Sequence, residues 1–530
     1  MARQAGMVRE TFKHAAIYSG ATMIGRMMGF IMLPFYAHVL QAIGYGVIGM
    51  IDTGLVMLGS LLAYNFQGAV VRIYHEQAEL KDKRSVVSSG TLLVAMIVLP
   101  LAGLGMAFSA PISQGLLGSS EYWPLVCMAL GTFFLDMTGQ TARSLLVIER
   151  RSATYSSLSL LRLMLGLSLN IVLIVILQWG LTGYFLSALI TSSISETIAV
   201  AIMARSCGWR WHRTLGKALL DYQLPLIPGA LARFASRQVE RIVVRYQLDL
   251  SALGVLEMAY KFPVLINMLL LQPFLQSWGT KSIEIADQEG GPRRIADMFS
   301  YFLFVGAFGF VLMSVNIRTV LELLTPPAFW PAAQVAVVQS AHIVLMGVAN
   351  YAAFGLFYAK RTDLMARITI VTSIAKVGLS YLMISIWGLH GAAWSGLVTT
   401  SVMVIWRSVL GQRFYRLEPE WGKIMLIVVA AGGLVAGIGQ VSTESIATWG
   451  APAVDLMGRM ATSLEGTALG DWKNGKLIEL FLERSPLVLD LAVRTLMALS
   501  FLLLMPLVHI ETQKKIALRV GAWGLPKRQD

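Results

Sequence analysis

Apolar residues along the chain gather in runs of about twenty, the length a helix needs to cross a bilayer. Fourteen such runs can be traced, at 14–40, 45–68, 86–108, 122–142, 156–178, 181–204, 218–247, 253–279, 298–316, 331–358, 368–387, 390–406, 424–440 and 488–508. Several are separated by only a few residues, as at 41–44 and at Gly388 and Leu389, which makes neighbouring helices antiparallel. The pattern predicts an all-α, polytopic membrane protein of about fourteen transmembrane helices.

Composition agrees. The 530 residues are 56% hydrophobic and 14% charged, with a mean hydropathy of +0.65. Soluble domains carry about 25% charged residues, so an ordinary soluble enzyme, a disordered chain and a disulfide scaffold are excluded. The two cysteines, Cys127 in an apolar run and Cys207 in a basic loop, are not expected to pair. The basic N-terminus leads into a run too long for a signal-peptide core, which reads as the first membrane helix.

The net charge of +13 matters mainly through where it sits. With the N-terminus in the cytoplasm, 29 of the 43 Lys and Arg residues fall in cytoplasmic segments, 5 in external ones and 9 in spans. That bias is the positive-inside rule, and it places both termini in the cytoplasm. Basic loops such as residues 205–217 then read as topology signals beside anionic lipid, not as nucleic-acid patches. Trp123, Trp179, Trp330 and Trp387 fall at outer ends of spans, as an aromatic belt does.

The chain also repeats itself. LLGSSEYWP (116–124) aligns with LLTPPAFWP (323–331), WGLTG (179–183) with WGLHG (387–391), and YGVIGM (45–50) with LGVLEM (253–258), all at a shift of 207 or 208. Each unit holds six spans, so the halves share one orientation and relate by an axis along the membrane normal. This divides the chain into an N-terminal lobe at 1–215, a C-terminal lobe at 216–415, and an extra pair of helices at 416–530 with an external segment at 441–487. Transporters built this way bind substrate between the halves. No phosphate-binding loop, zinc spacing, HExxH or nucleophile elbow occurs, so the chain is read as a transporter and not an enzyme, with no cofactor or metal. Its energy would come from a sodium or proton gradient or the membrane potential.

Ionisable groups inside spans are functional candidates by default. Arg233, Arg237, Arg241 and Arg245 follow a spacing of four, a stripe about 18 Å long on one helix face. Arg26 aligns with Arg233 at a shift of 207, so the two are expected to face each other across a central cavity. Arginine suits a diphosphate because its planar fork binds two oxygens and stays protonated. Arg26, Arg233, Arg237 and Arg241 are therefore the substrate candidates. Arg245, near the outer end, is expected to snorkel, as are Arg162 and Lys261, and Arg494 to pair with Asp490. Asp52, Asp136, Glu196, Glu240 and Glu257 are candidates for an ion-pair network or for carrying a coupling ion. His38, His342 and His390 read as helix-end residues. Pro34, Pro225, Pro228, Pro263 and Pro273 lie inside spans and are expected to bend them.

An ordered set of residues completes the reading: Arg26, Pro34, Leu40 and Tyr45-Gly46; then Arg72, Tyr74 and Glu76; then Pro225, Pro228, Glu240-Arg241, Leu253-Gly254 and Ala259-Tyr260. In this the chain resembles the polysaccharide-transporter branch, the O-antigen-flippase-like proteins, of the multidrug/oligosaccharidyl-lipid/polysaccharide exporter superfamily. The likeness covers about residues 10–415, with Glu240 standing where the family often has Asp. It implies a V-shaped pair of six-helix lobes. It also implies movement of an undecaprenyl-diphosphate-linked oligosaccharide from the inner to the outer leaflet by alternating access, for exopolysaccharide or O-antigen synthesis, with a polysaccharide polymerase as a possible partner. The alternatives are a lipid II flippase, a multidrug/cation antiporter and, from another class, a membrane glycosyltransferase or polymerase. The excess of basic over acidic groups in the spans disfavours a cationic substrate.

Overall fold

A computed structural model describes residue 30 and residues 32–62, 66–77, 79–440 and 476–504. Arg26 and residues 441–475 lie outside the described residues. Described residues form helices and their connections, with no strand among them. In chain order the helices are α1 (Leu33–Leu61), α2 (Phe66–Glu76), α3 (Leu80–Ala107), α4 (Ser109–Leu117), α5 (Trp123–Ile148), α6 (Ser152–Asn170), α7 (Gly180–Cys207), α8 (Arg213–Gln223), α9 (Ile227–Gln247), α10 (Leu250–Ile266), α11 (Gln272–Ala286), α12 (Gly291–Leu324), α13 (Ala332–Ala352), α14 (Phe354–Tyr358), α15 (Thr362–Trp387), α16 (Leu389–Phe414), α17 (Trp421–Gln440) and α18 (Lys476–Leu499).

Among the described residues, ten segments are long and apolar enough to cross a membrane. Each coincides with one of the fourteen expected spans. Of the other four, 14–40 lies mostly outside the described residues, while 122–142, 218–247 and 488–508 overlap helices that are not among those ten. Each of these three carries charge: Asp136 and Arg143 in α5, the arginine stripe in α9, Asp490 and Arg494 in α18. The expected single span at 218–247 is in fact two helices, α8 and α9, joined by a 3-10 turn over Leu224–Leu226. Pro225 lies in that turn and Pro228 in the first turn of α9, where a missing N–H costs no helical bond. Pro34 lies in the first turn of α1. Pro273 follows a π-helical turn over Asn267–Leu271 that joins α10 to α11 within one continuous span, Leu250–Gly279, so it lies inside that span as expected. Pro263 does lie inside α10, as does Pro100 inside α3.

Contacts divide the chain into two compact units, Met1–Val255 and Leu256–Asp530. In the first, α2, α3, α5, α7 and α8 share an apolar core around Val70, Val86, Leu145, Met203 and Leu219. In the second, Trp278, Phe299, Phe302, Tyr351 and Phe354 form an aromatic core, with the Phe299 and Tyr351 rings stacked at 3.9 Å. The extra C-terminal pair is anchored there too: Ile427, Ala431 and Ile438 of α17 and Ala498 of α18 pack on Leu303, Val311 and Val315 of α12, beside Phe501. Large apolar side chains such as Ile374, Ile386, Ile405 and Val429 are more than 60% exposed, as lipid-facing positions are.

Two helix ends share one backbone pattern. Helices α5 and α14 end in the same turn: Arg151 N–H donates to Leu146 O and Arg150 N–H to Val147 O, while Arg361 N–H donates to Leu356 O and Lys360 N–H to Phe357 O. Arg150 (φ 54°) and Lys360 (φ 56°) occupy the left-handed position that such a cap requires. Within the first unit, α1 and the start of α10 cross at two repeat-related glycines. A Cβ on Gly46 would collide with the carbonyl of Leu250, and one on Gly254 with the carbonyl of Ala42. Both positions are held at glycine by backbone in contact with backbone.

Candidate functional site

Helix α9 presents its arginines unevenly. Ala230, Val239, Glu240 and Val244 are buried, while Arg233 and Arg237 are exposed and Arg241 and Arg245 half-buried. Arg233 and Arg237 have no carboxylate within ion-pair distance among the described residues. Arg241 Nη1 donates to the Arg237 carbonyl one turn back, at 3.2 Å. Arg245 does not snorkel: its Nε donates to Leu116 O at 3.0 Å, and the Tyr246 hydroxyl donates to Gly115 O at 3.0 Å. These two residues tie the end of α9 to the end of α4, whose last carbonyls lack helical donors. An apolar cavity of about 430 Å³ lies alongside, lined by Ile51, Leu55, Leu58, Leu116, Leu130 and Tyr246.

A second constellation joins α5, α6 and α7. Arg162 Nη2 donates to Asp136 Oδ2 at 2.9 Å and Nη1 to Glu196 Oε1 at 2.6 Å, with Ser192 Oγ at 3.3 Å. Arg143 closes the group, its Nη1 lying 2.9 Å from Glu196 Oε1. The Glu196 side chain is 1% exposed. Arg162 therefore pairs with two acids instead of reaching the membrane surface. Arg143 falls just past the expected end of span 4, yet α5 continues to Ile148 and carries it inward. Its spacing of seven from Asp136, two turns on one face, is the signal that could have found it. Gly139 makes the arrangement possible, because a Cβ there would collide with the Glu196 carboxylate. One oxygen of each acid, Asp136 Oδ1 and Glu196 Oε2, is buried without a hydrogen-bond donor among the described residues.

Asp52 is exposed on α1, and Glu257 is half-buried on α10 in the second unit. In that unit Arg494 pairs with Asp490 at 2.9 Å, as its spacing of four suggests, and also donates to Ile438 O at 3.2 Å. Thr319 donates to Asp490 as well. Arg494, Arg318, Glu322, Trp330 and Gln334 are among the residues that line a cavity of about 860 Å³. His342 is not at a helix end: it is buried within α13, its Nε2 3.0 Å from Thr400 Oγ1. The expected spans stopped one residue short of Arg407, a buried cation on α16 that donates to Ala349 O (3.2 Å) and Thr369 Oγ1 (3.0 Å). No cluster of three or more His, Cys, Asp or Glu residues that could hold a metal occurs among the described residues.

Comparison with known proteins places this geometry. A family model described as polysaccharide biosynthesis protein matches residues 12–278, half of the chain. No curated protein sequence matches. Among solved structures, the lipid II flippase MurJ in an inward closed conformation aligns with a TM-score of 0.64 at 13% identity, covering 92% of this chain and 98% of its own. An inward-facing multidrug resistance MATE family transporter of the MOP superfamily aligns with a TM-score of 0.57 at 13% identity, covering 78% and 99%. At such identity the likeness is one of fold.

Proposed function

The chain belongs to the polysaccharide biosynthesis protein family, and from that premise we propose that it is a flippase for a lipid-diphosphate-linked oligosaccharide. In this reading it carries an undecaprenyl-diphosphate sugar from the inner to the outer leaflet of the cytoplasmic membrane by alternating access, with both termini cytoplasmic. One observation carries the proposal: Arg233 and Arg237 are exposed on a helix of a strongly apolar chain and have no acidic partner among the described residues. Keeping two unneutralised guanidinium groups there is costly unless a cavity, an anion, or both receive them. A diphosphate matches their forked donors. Arg241 and Arg26 complete the proposed anion site.

Asp136 and Glu196 are the proposed coupling acids, since each leaves one buried oxygen without a donor in the Arg143–Arg162 network. Asp52, Glu240 and Glu257 are further network or coupling candidates.

The proposal is tested by binding. Purified protein is titrated with undecaprenyl diphosphate and with undecaprenol, and bound lipid is counted by native mass spectrometry. The diphosphate is expected to bind tighter, and Arg233→Ala/Arg237→Ala to weaken it by about 10- to 100-fold, as loss of charge-assisted hydrogen bonds does. Equal binding of both lipids, or an unaffected double variant, would refute the site.

A further inference from the structure

We propose that residues 205–217 form a docking platform for the anionic headgroups of the phospholipid leaflet at the end of α7. It is a binding surface separate from the substrate site and independent of what the protein transports. Helix α7 is a candidate span ending at Cys207, so the segment after it emerges at a membrane surface. Trp209 and Trp211 follow at once and are 60% and 42% exposed. Tryptophan prefers this depth because its ring is apolar and its N–H is not. Arg205, Arg210, Arg213 and Lys217 are all exposed, and none makes an ion pair among the described residues. Asp221 is the one acid of α8.

The loop is built, not merely basic. Gly208, at φ 70°, ends α7 and turns the chain. Two adjacent serines of α3 then hold the loop backbone. Arg210 N–H donates to Ser88 Oγ at 2.8 Å, His212 N–H donates to Ser89 Oγ at 3.1 Å, and Ser89 Oγ donates to Arg210 O at 3.2 Å. The Trp211 ring lies against Gly216, where a Cβ would come within 2.6 Å of it. Helix α8 spends its apolar face on the protein, with Gly216 and Leu219 buried, and turns Arg213 and Lys217 outward. The loop backbone and the Trp211 ring are thereby held in place before any ligand arrives, which lowers the ordering cost of binding. An unpinned loop serving only as a topology signal has no need of this.

The test uses full-length protein in detergent, titrated with dioleoylphosphatidylglycerol or dioleoylphosphatidylcholine and followed by native mass spectrometry. Wild type is expected to prefer phosphatidylglycerol. Arg210→Gln/Arg213→Gln/Lys217→Gln should reduce that preference at least about tenfold, since each surface cation contributes to attraction by anionic lipid. Arg210→Lys/Arg213→Lys keeps the charge and should keep the preference, which separates charge loss from misfolding. Ser88→Ala/Ser89→Ala keeps every charge but frees the loop, and should weaken phosphatidylglycerol binding about two- to fivefold. An unchanged preference in the triple variant, or loss of it in the lysine variant as well, would overturn the proposal.

Discussion

Arg162 holds two carboxylates at once, and the energetics of the first unit can be tested through it. Removing one member of a buried ion network leaves uncompensated charge and costs about 3–5 kcal/mol when burial is complete. Arg162 and Asp136 are about a third exposed at their side chains, whereas Glu196 is 1% exposed. Arg162→Ala is therefore expected to destabilise the protein by about 2–3 kcal/mol, below that range because Arg162 is partly exposed. Gly139→Ala, which drives a methyl into the Glu196 carboxylate, should cost about 1–3 kcal/mol. Thermal unfolding in detergent reads both, and a shift below about 0.5 kcal/mol, the scale of an ordinary surface substitution, would show that the network does not hold α5, α6 and α7 together. The sequence marked Asp136, Glu196 and Arg162 as charges that need an explanation. It could not say that they share one, because Asp136 and Glu196 meet Arg162 across three helices, at separations of 26 and 34 residues.

Elements were more legible than their ends. Apolar runs located the helices because length and hydropathy suffice for a span. They stopped short where a helix carries polar groups beyond its apolar part, so Arg143 and Arg407 were placed in loops although both lie within helices. Prolines misled in the other direction: Pro225 and Pro228 divide a run that reads as continuous. The Arg494–Asp490 pair was visible because both partners lie on one helix at a spacing of four. The turns ending α5 and α14 were not, since neither carries glycine. Arg150 and Lys360 stand in a left-handed conformation that costs a side chain about 1–2 kcal/mol. Replacing either with glycine removes that strain and partly returns it as chain entropy. Arg150→Gly and Lys360→Gly are each expected to stabilise by about 0.5 kcal/mol, with the same sign at both turns. Destabilisation at both would indicate that the side chains, not the turns, matter there.

At the scale of the whole molecule the sequence carries an internal repeat. It was legible from three short blocks, one of which pairs Gly46 with Gly254. Gly46→Ala and Gly254→Ala should be alike in effect, each costing about 1–3 kcal/mol by forcing backbone apart. Unequal costs, measured by the same unfolding transition, would show that the crossing is not symmetric in energy. The net charge of +13 reports mainly how loops are distributed along the chain. The functional claim rests on very few of those charges.

The most direct test follows lipid movement itself. Proteoliposomes are loaded with a fluorescent undecaprenyl-diphosphate oligosaccharide, and its arrival in the outer leaflet is timed by a membrane-impermeant quencher. Wild-type protein is predicted to accelerate movement, and Arg233→Ala/Arg237→Ala to reduce the rate by about tenfold or more, the equivalent of losing one charge-assisted hydrogen bond. Equal rates for wild type and double variant would contradict the account.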